Sequence, residues 1–241
     1  MNKLLTTLFA LSVACATGLA QAQAPAATAP AAAPAATVAA PGAAAKPAGP
    51  KSLEAKVAMC IGCHGIKGYQ SSFPEVYKVP MISGQSAKYI AAALTAYKNG
   101  DRKHPTMRSI AEGLSEQDVT DISNWYASHD DGGSPLADKP SREPSAQVTA
   151  LLNKAACASC HGANFSSPID PSYPKLSGQH ADYLFVALKA YKTENNPAVG
   201  RNNGVMGAIA KQFSNAELKV LANYMASLDG ELTIKPEPKF R

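Results

Sequence analysis

The pentapeptide Cys-x-x-Cys-His occurs twice, as Cys60-Ile61-Gly62-Cys63-His64 and as Cys157-Ala158-Ser159-Cys160-His161. This is the attachment signature of a c-type haem. Two thiols add across the vinyl groups of the macrocycle, and the adjacent histidine reaches the iron. Two copies therefore predict two covalently bound haem c groups, held by Cys60, Cys63, Cys157 and Cys160, with His64 and His161 as proximal ligands. The motifs lie 97 positions apart in a chain of 241 residues, which fits two small domains in tandem. Domains of that size are near the limit at which a core sustains itself, so a buried macrocycle has to supply part of the apolar surface. A zinc reading of the cysteines is weak, because nothing near either pair completes a ligand set.

A second repeat surrounds the first. Pro80-Met-Ile-Ser-Gly-Gln-Ser-Ala-Lys-Tyr89 recurs as Pro174-Lys-Leu-Ser-Gly-Gln-His-Ala-Asp-Tyr183 at an offset of 94, and both run on to a Tyr-Lys pair, Tyr97-Lys98 and Tyr191-Lys192. The chain is a duplicated domain. Each copy reads as helix, haem loop, helix, ligand loop, helix. First helices start near Ser52 and Ser145. Middle helices carry apolar stripes at Tyr89, Ile90, Ala93, Leu94, Tyr97 and at Tyr183, Leu184, Ala187, Leu188, Tyr191. Last helices open on the capping boxes Ser115-Glu-Gln-Asp118 and Ser214-Asn-Ala-Glu217. No segment sustains strand alternation, so the fold class is all-α.

The sixth position of each iron needs another donor, and a methionine thioether is the soft, neutral choice that raises haem potential. Met107 and Met206 each stand eight residues before the capping box of a last helix, and this shared register selects them as the axial ligands. Met59, Met81 and Met225 have no matching partner in the other copy and read as packing. His104, three residues before Met107, is a rival in the first copy only, since Asn203 stands at its counterpart. His129 and His180 are expected to be exposed. Pro80 and Pro174 offer carbonyls that could accept from the second ring nitrogen of the proximal histidines; a plain turn is the other reading. Arg102 and Arg201, each five residues before its methionine, could pair with a haem propionate; a solvated surface arginine is the alternative.

The N-terminus reads as a secretory signal over 1–22, with Lys3 as charged region, an apolar run from Leu4 to about Ala20, and cleavage after Ala22. Export predicts the periplasm, an oxidising compartment that suits haem attachment. Residues 23–50 are nearly all Ala and Pro and read as a disordered tether, whose association with a membrane surface stays open. The first haem domain is then 51–130, a Gly/Pro-rich linker 131–145, and the second haem domain 146–235. The formal charge of +5 falls to +4 when Lys3 leaves with the signal, and four propionates would offset it. The basic residues are scattered, so no nucleic-acid partner is expected.

At these motifs the chain resembles dihaem cytochrome c4, a pair of class I cytochrome c domains in tandem, over about residues 51–230. The resemblance rests on Cys-x-x-Cys-His, Ser-Gly-Gln-x-x-x-Tyr and the late methionine, each present in both halves. It implies a periplasmic electron carrier, not an enzyme, with its two domains packed about a pseudo-twofold axis, taking electrons from a respiratory donor and passing them to a terminal oxidase. Two other readings stand beside it: the haem subunit of a dehydrogenase complex such as a flavin-containing sulfide dehydrogenase, and a dihaem peroxidase. The matched methionines argue against the peroxidase.

Overall fold

The computed structural model describes residues 52–129 and 136–236. The expected signal peptide and tether, and residues 131–135 of the expected linker, lie outside the described residues. In the first repeat, α1 (Leu53–His64) is followed by β1 (Gln70–Ser71), β2 (Tyr77–Lys78), α2 (Ala87–Asn99), β3 (Arg102–Lys103), α3 (Pro105–Glu112) and α4 (Glu116–Ser128). The second repeat runs α5 (Ala146–Lys154), α6 (Cys157–His161), α7 (Ala181–Ala190), β4 (Gly200–Arg201), α8 (Gly204–Lys211) and α9 (Asn215–Ala226). The helical class holds, with strands of only two residues beside it.

Local chemistry sets the helix starts. Ser52 and Ser145 cap α1 and α5, accepting from Ala55 N–H and Val148 N–H at 3.3 Å each. Both capping boxes close reciprocally: Ser115 with Asp118, and Ser214 with Glu217. The two motif segments differ. Helix α1 runs unbroken through the whole first pentapeptide, whereas Ala156 takes a left-handed φ of 48° and divides α5 from α6. The ligand segments also depart from the loop expected there. Met107 and Met206 sit in the first turns of α3 and α8, whose N-caps are His104 and Asn203; the cap side chains accept from Met107 N–H at 3.3 Å and Met206 N–H at 2.9 Å. Pro105 at the first helical position of α3 reinforces that start.

The core of the first repeat joins Val57 and Ile61 of α1, Ile90 and Leu94 of α2, Leu114, and Ile122 and Tyr126 of α4. In the second repeat Val148, Phe165, Leu184, Ala222 and Met225 form one cluster, and Leu151, Phe213, Leu218 and Leu221 another. Met225 thus packs in the core, while Met59 is largely exposed. The histidines expected at the surface are half-buried instead. His129 stacks on Trp125 with ring centroids 3.9 Å apart and makes a 2.6 Å hydrogen bond to the Trp125 carbonyl. His180 is tucked in at the N-cap of α7.

Lys56 of α1 reaches Asp118 and Asp121 of α4 at 2.8 and 2.7 Å. Hydrogen bonds from Lys56 hold both carboxyls below the ordinary range, Asp118 furthest. A depressed folded-state value contributes stability that is present above the unfolded value, about pH 4, and is lost as pH falls through the folded one. The thermal midpoint is therefore expected to fall on acidification below about pH 4, and to fall less steeply in Lys56→Met. Calorimetry of the two proteins between neutral and acid pH checks this.

The repeats are joined by backbone as well as side chains. Strand β3 pairs antiparallel with β4, placing Arg102 opposite Arg201. Asn202 N–H donates to the Asp101 carbonyl at 2.6 Å, and Lys103 Nζ to the Asn196 carbonyl at 2.7 Å. Lys78 N–H donates to the Asp182 carboxylate at 3.0 Å, and Lys189 pairs with Glu75. The C-terminal segment crosses back as well, with Thr233 N–H donating to the Ser83 carbonyl at 3.1 Å.

Candidate functional site

A continuous cavity of about 650 Å³ runs through both repeats. Its wall carries Cys60, Cys63, His64 and Met107 from the first, and Cys157, Cys160, His161 and Met206 from the second. Between these groups the lining is mostly apolar, with Ile90, Leu94, Ile122, Leu184 and Leu221 among it. Every candidate ligand selected from sequence therefore faces one space. The four thiols carry no disulfide. Burial, aided by the Cys63 charge, pushes the Cys60 thiol up to about 11.

Each motif histidine is oriented by a backbone carbonyl. His64 Nδ1 lies 2.8 Å from the Pro80 oxygen, and His161 Nδ1 lies 3.2 Å from the Pro174 oxygen. Burial lowers the pKa of both rings, against the opposing pull of the carbonyls. A neutral ring with Nδ1 donating keeps its lone pair on Nε2, the form that binds a metal.

Arg102 and Arg201 are half-buried and covered by aromatic rings. The Arg102 guanidinium lies over Tyr89 and Tyr97, at 5.2 and 5.8 Å from the ring centroids. Arg201 lies over Tyr183 and Tyr191 at 5.6 and 5.4 Å. Arg102 Nη2 donates to the Tyr89 hydroxyl at 3.3 Å, and Arg201 Nη2 to the Tyr183 hydroxyl at 3.0 Å. Burial raises the Tyr89 phenol, but the two guanidiniums outweigh it and the net shift is downward. Among the described residues neither arginine has a carboxylate partner, although both line the cavity. Ring faces offset part of the desolvation cost, yet two neighbouring, half-buried cations call for an anion. A flat apolar macrocycle bearing carboxylates answers each feature: thiols to anchor it, neutral imidazoles for its metal, apolar walls for its faces and guanidiniums for its acids. The residues present fit haem c.

The family model for cytochrome c matches residues 48–130 and again 145–229. The chain belongs to the cytochrome c family. It is 29% identical to cytochrome c4 of Stutzerimonas stutzeri over 188 residues, covering 73% of this chain and 87% of that one. It is 28% identical to the thiosulfate dehydrogenase electron acceptor of Thiomonas intermedia over 190 residues, covering 76% and 84%. Among solved structures, Acidithiobacillus ferrooxidans cytochrome c4 superposes with a TM-score of 0.52 at 25% identity, covering 71% of this chain and 99% of that one. This cytochrome is accordingly a pair of cytochrome c domains, each with covalent haem c at its Cys-x-x-Cys-His motif, and a dihaem electron carrier of the cytochrome c4 kind.

Sequence reasoning missed the groups that tie the two sites together. Gln85 and Gln179, each almost fully buried, span the interface. So does the β3–β4 ladder, which sets Arg102 opposite Arg201. A signal for the glutamines was present: the same Gln stands in both copies of the repeat, with no chemistry of its own assigned to it.

Proposed function

We propose that both irons are six-coordinate, held by His64 and Met107 in the first domain and by His161 and Met206 in the second. The observation that carries this reading is the shared placement of the two methionines. Each is in the first turn of a capped helix, on the wall of the cavity that also holds the motif histidine. The bound haem supplies a one-electron iron(III)/iron(II) couple. The protein's residues do the rest. The cysteines fix the macrocycle, Pro80 and Pro174 orient the imidazoles, the apolar walls exclude water, and Arg102 and Arg201 hold the propionates. A thioether and an imidazole on each iron leave no position for substrate, so the chain carries charge rather than performing bond chemistry.

The carrier works in the periplasm under this reading. Residues 1–22 direct export and are removed after Ala22, 23–50 are a tether, and the haem domains span 51–130 and 146–235 about a linker at 131–145. Among the described residues no helix is long and apolar enough to cross a membrane. Its partners are a respiratory electron donor and a terminal oxidase. A second reading, favoured by the likeness to a protein described as a thiosulfate dehydrogenase electron acceptor, makes a periplasmic dehydrogenase the donor.

A spectroscopic redox titration of the purified holoprotein tests the ligation. Two one-electron waves, with the ferric charge-transfer band of methionine ligation accounted for by both haems, are expected. A high-spin ferric spectrum at either haem overturns it. Rapid-mixing reduction by a thiosulfate dehydrogenase, set against reduction by a quinol-oxidising complex, separates the two donors.

A further inference from the structure

The hydrogen bonds around Gln85 and Gln179 form two mirrored chains. Gln85 of the first domain reaches across to Lys175 of the second: its Nε2 donates to the Lys175 carbonyl at 3.1 Å, and its Oε1 accepts from Lys175 N–H at 2.9 Å. Gln179 returns the contact. Its Nε2 donates to the Met81 carbonyl at 2.9 Å, and its Oε1 accepts from Met81 N–H at 3.0 Å. Lys175 N–H belongs to the same peptide unit as the Pro174 carbonyl that orients His161. Met81 N–H likewise shares its peptide unit with the Pro80 carbonyl that orients His64. The glutamine of one domain thus grips the peptide that holds the other domain's histidine.

The turn that permits this is built twice. Gly84 and Gly178 have φ of 80° and 75°, the left-handed region that favours glycine, and their N–H groups are tied to the Tyr126 and Met225 carbonyls at 3.0 and 3.1 Å. The following glutamine is thereby turned away from its own core and toward the partner. Both side chains are also held at home, since Gln85 Oε1 accepts from Ser86 N–H and Gln179 Oε1 from His180 N–H, at 3.1 and 3.0 Å. Every polar atom of the two amides has a partner, so each is fixed rather than adaptable.

We propose that Gln85 and Gln179 are positioning residues that act across the domain interface, each tuning the redox potential of the haem in the opposite domain. The physical link is polarisation along a hydrogen-bond chain. When the peptide N–H donates to the glutamine oxygen, the carbonyl on the other side of that peptide becomes a stronger acceptor. A stronger acceptor at Nδ1 makes the imidazole a more basic ligand, which favours iron(III) over iron(II) and lowers the potential. The coupling also runs through position: loosening the peptide lets the ring rotate about its bond to iron. This inference rests on the histidine ligation proposed above.

The test uses the full-length holoprotein and the pair Gln85→Met and Gln179→Met, which keep side-chain length and remove all amide hydrogen bonds. Potentials are measured haem by haem, by NMR-monitored redox titration with signals assigned to each domain. Gln85→Met is expected to raise the potential of the second haem more than the first, and Gln179→Met the reverse. In the same samples, hydrogen exchange at Lys175 N–H should quicken in Gln85→Met, and at Met81 N–H in Gln179→Met. Shifts that are absent, equal at both haems, or larger at the substituted domain's own haem overturn the proposal. Should either methionine variant fail to hold both haems, Gln85→Asn and Gln179→Asn draw the amide back by one methylene, and the same crossed ordering decides it. Failure of the ligation itself is distinguishable, because it appears in the spectrum of the unsubstituted protein.

Discussion

Replacing Met107 with alanine is expected to free the sixth position of the first iron and to lower that haem's potential by on the order of a few hundred millivolts, a large part of the roughly 0.8 V that axial ligands command. The same substitution at Met206 should do this at the second haem and leave the first nearly unmoved. A neutral thioether stabilises iron(II) relative to a water or hydroxide oxygen, so its loss favours the oxidised state. Both methionines are placed by a cap three residues earlier, His104 or Asn203. Those caps engage the backbone N–H rather than the thioether, so alanine should leave α3 and α8 intact. The open iron should bind carbon monoxide when reduced and react with peroxide when oxidised, which the unsubstituted protein should not do. The measurement is a spectroscopic titration of each variant, with a carbon monoxide difference spectrum counting the open sites. A ferric spectrum unchanged in either variant would show that another donor ligates that iron.

Loss of haem is the second large effect. The cavity of about 650 Å³ is lined by mostly apolar groups that would pack against a bound macrocycle. At about 24 cal/mol per Å³, a fully enclosed empty cavity of that size would cost roughly 15 kcal/mol. That equals or exceeds the whole stability of an ordinary domain, about 5–15 kcal/mol. The chain would collapse rather than keep the void, and the facing Arg102 and Arg201 would be left without the propionates proposed to neutralise them. Protein produced without haem attachment, or with all four motif cysteines changed to alanine, is therefore expected to lack a cooperative thermal transition and a fixed near-ultraviolet circular dichroism signal. A sharp calorimetric transition in the haem-free chain would contradict this. Changing only Cys60 and Cys63 should unfold the first repeat and weaken the second through the lost β3–β4 ladder and glutamine contacts.

What could be read from sequence was whatever depends on residues near one another in the chain. The motifs, the offset of the two copies, the capping boxes and the apolar stripes are all local patterns. The structure turns them into nine helices among the described residues and places the matched methionines on one cavity with the histidines. The short helices α3 and α8 were missed because eight residues carry too little periodicity to stand out, and His104 is an unusual cap. The half-burial of His129 and His180 depends on partners such as Trp125 and on the docking of α7, which a linear pattern does not reveal. The interface was invisible for the same reason. Its glutamines, its paired arginines and its crossing C-terminal segment join residues 90 or more positions apart, and nothing in either copy alone says which surface meets the other.

The proposed ligation seals each of two haems with one histidine and one methionine of the same repeat. The most direct measurement is the magnetic resonance spectrum of the fully reduced holoprotein, in which an iron-bound methionine methyl group moves far upfield into a region that no free side chain occupies. Two such signals are predicted, one lost in Met107→Ala and the other in Met206→Ala. A single upfield methyl, or two that survive either substitution, would contradict the account.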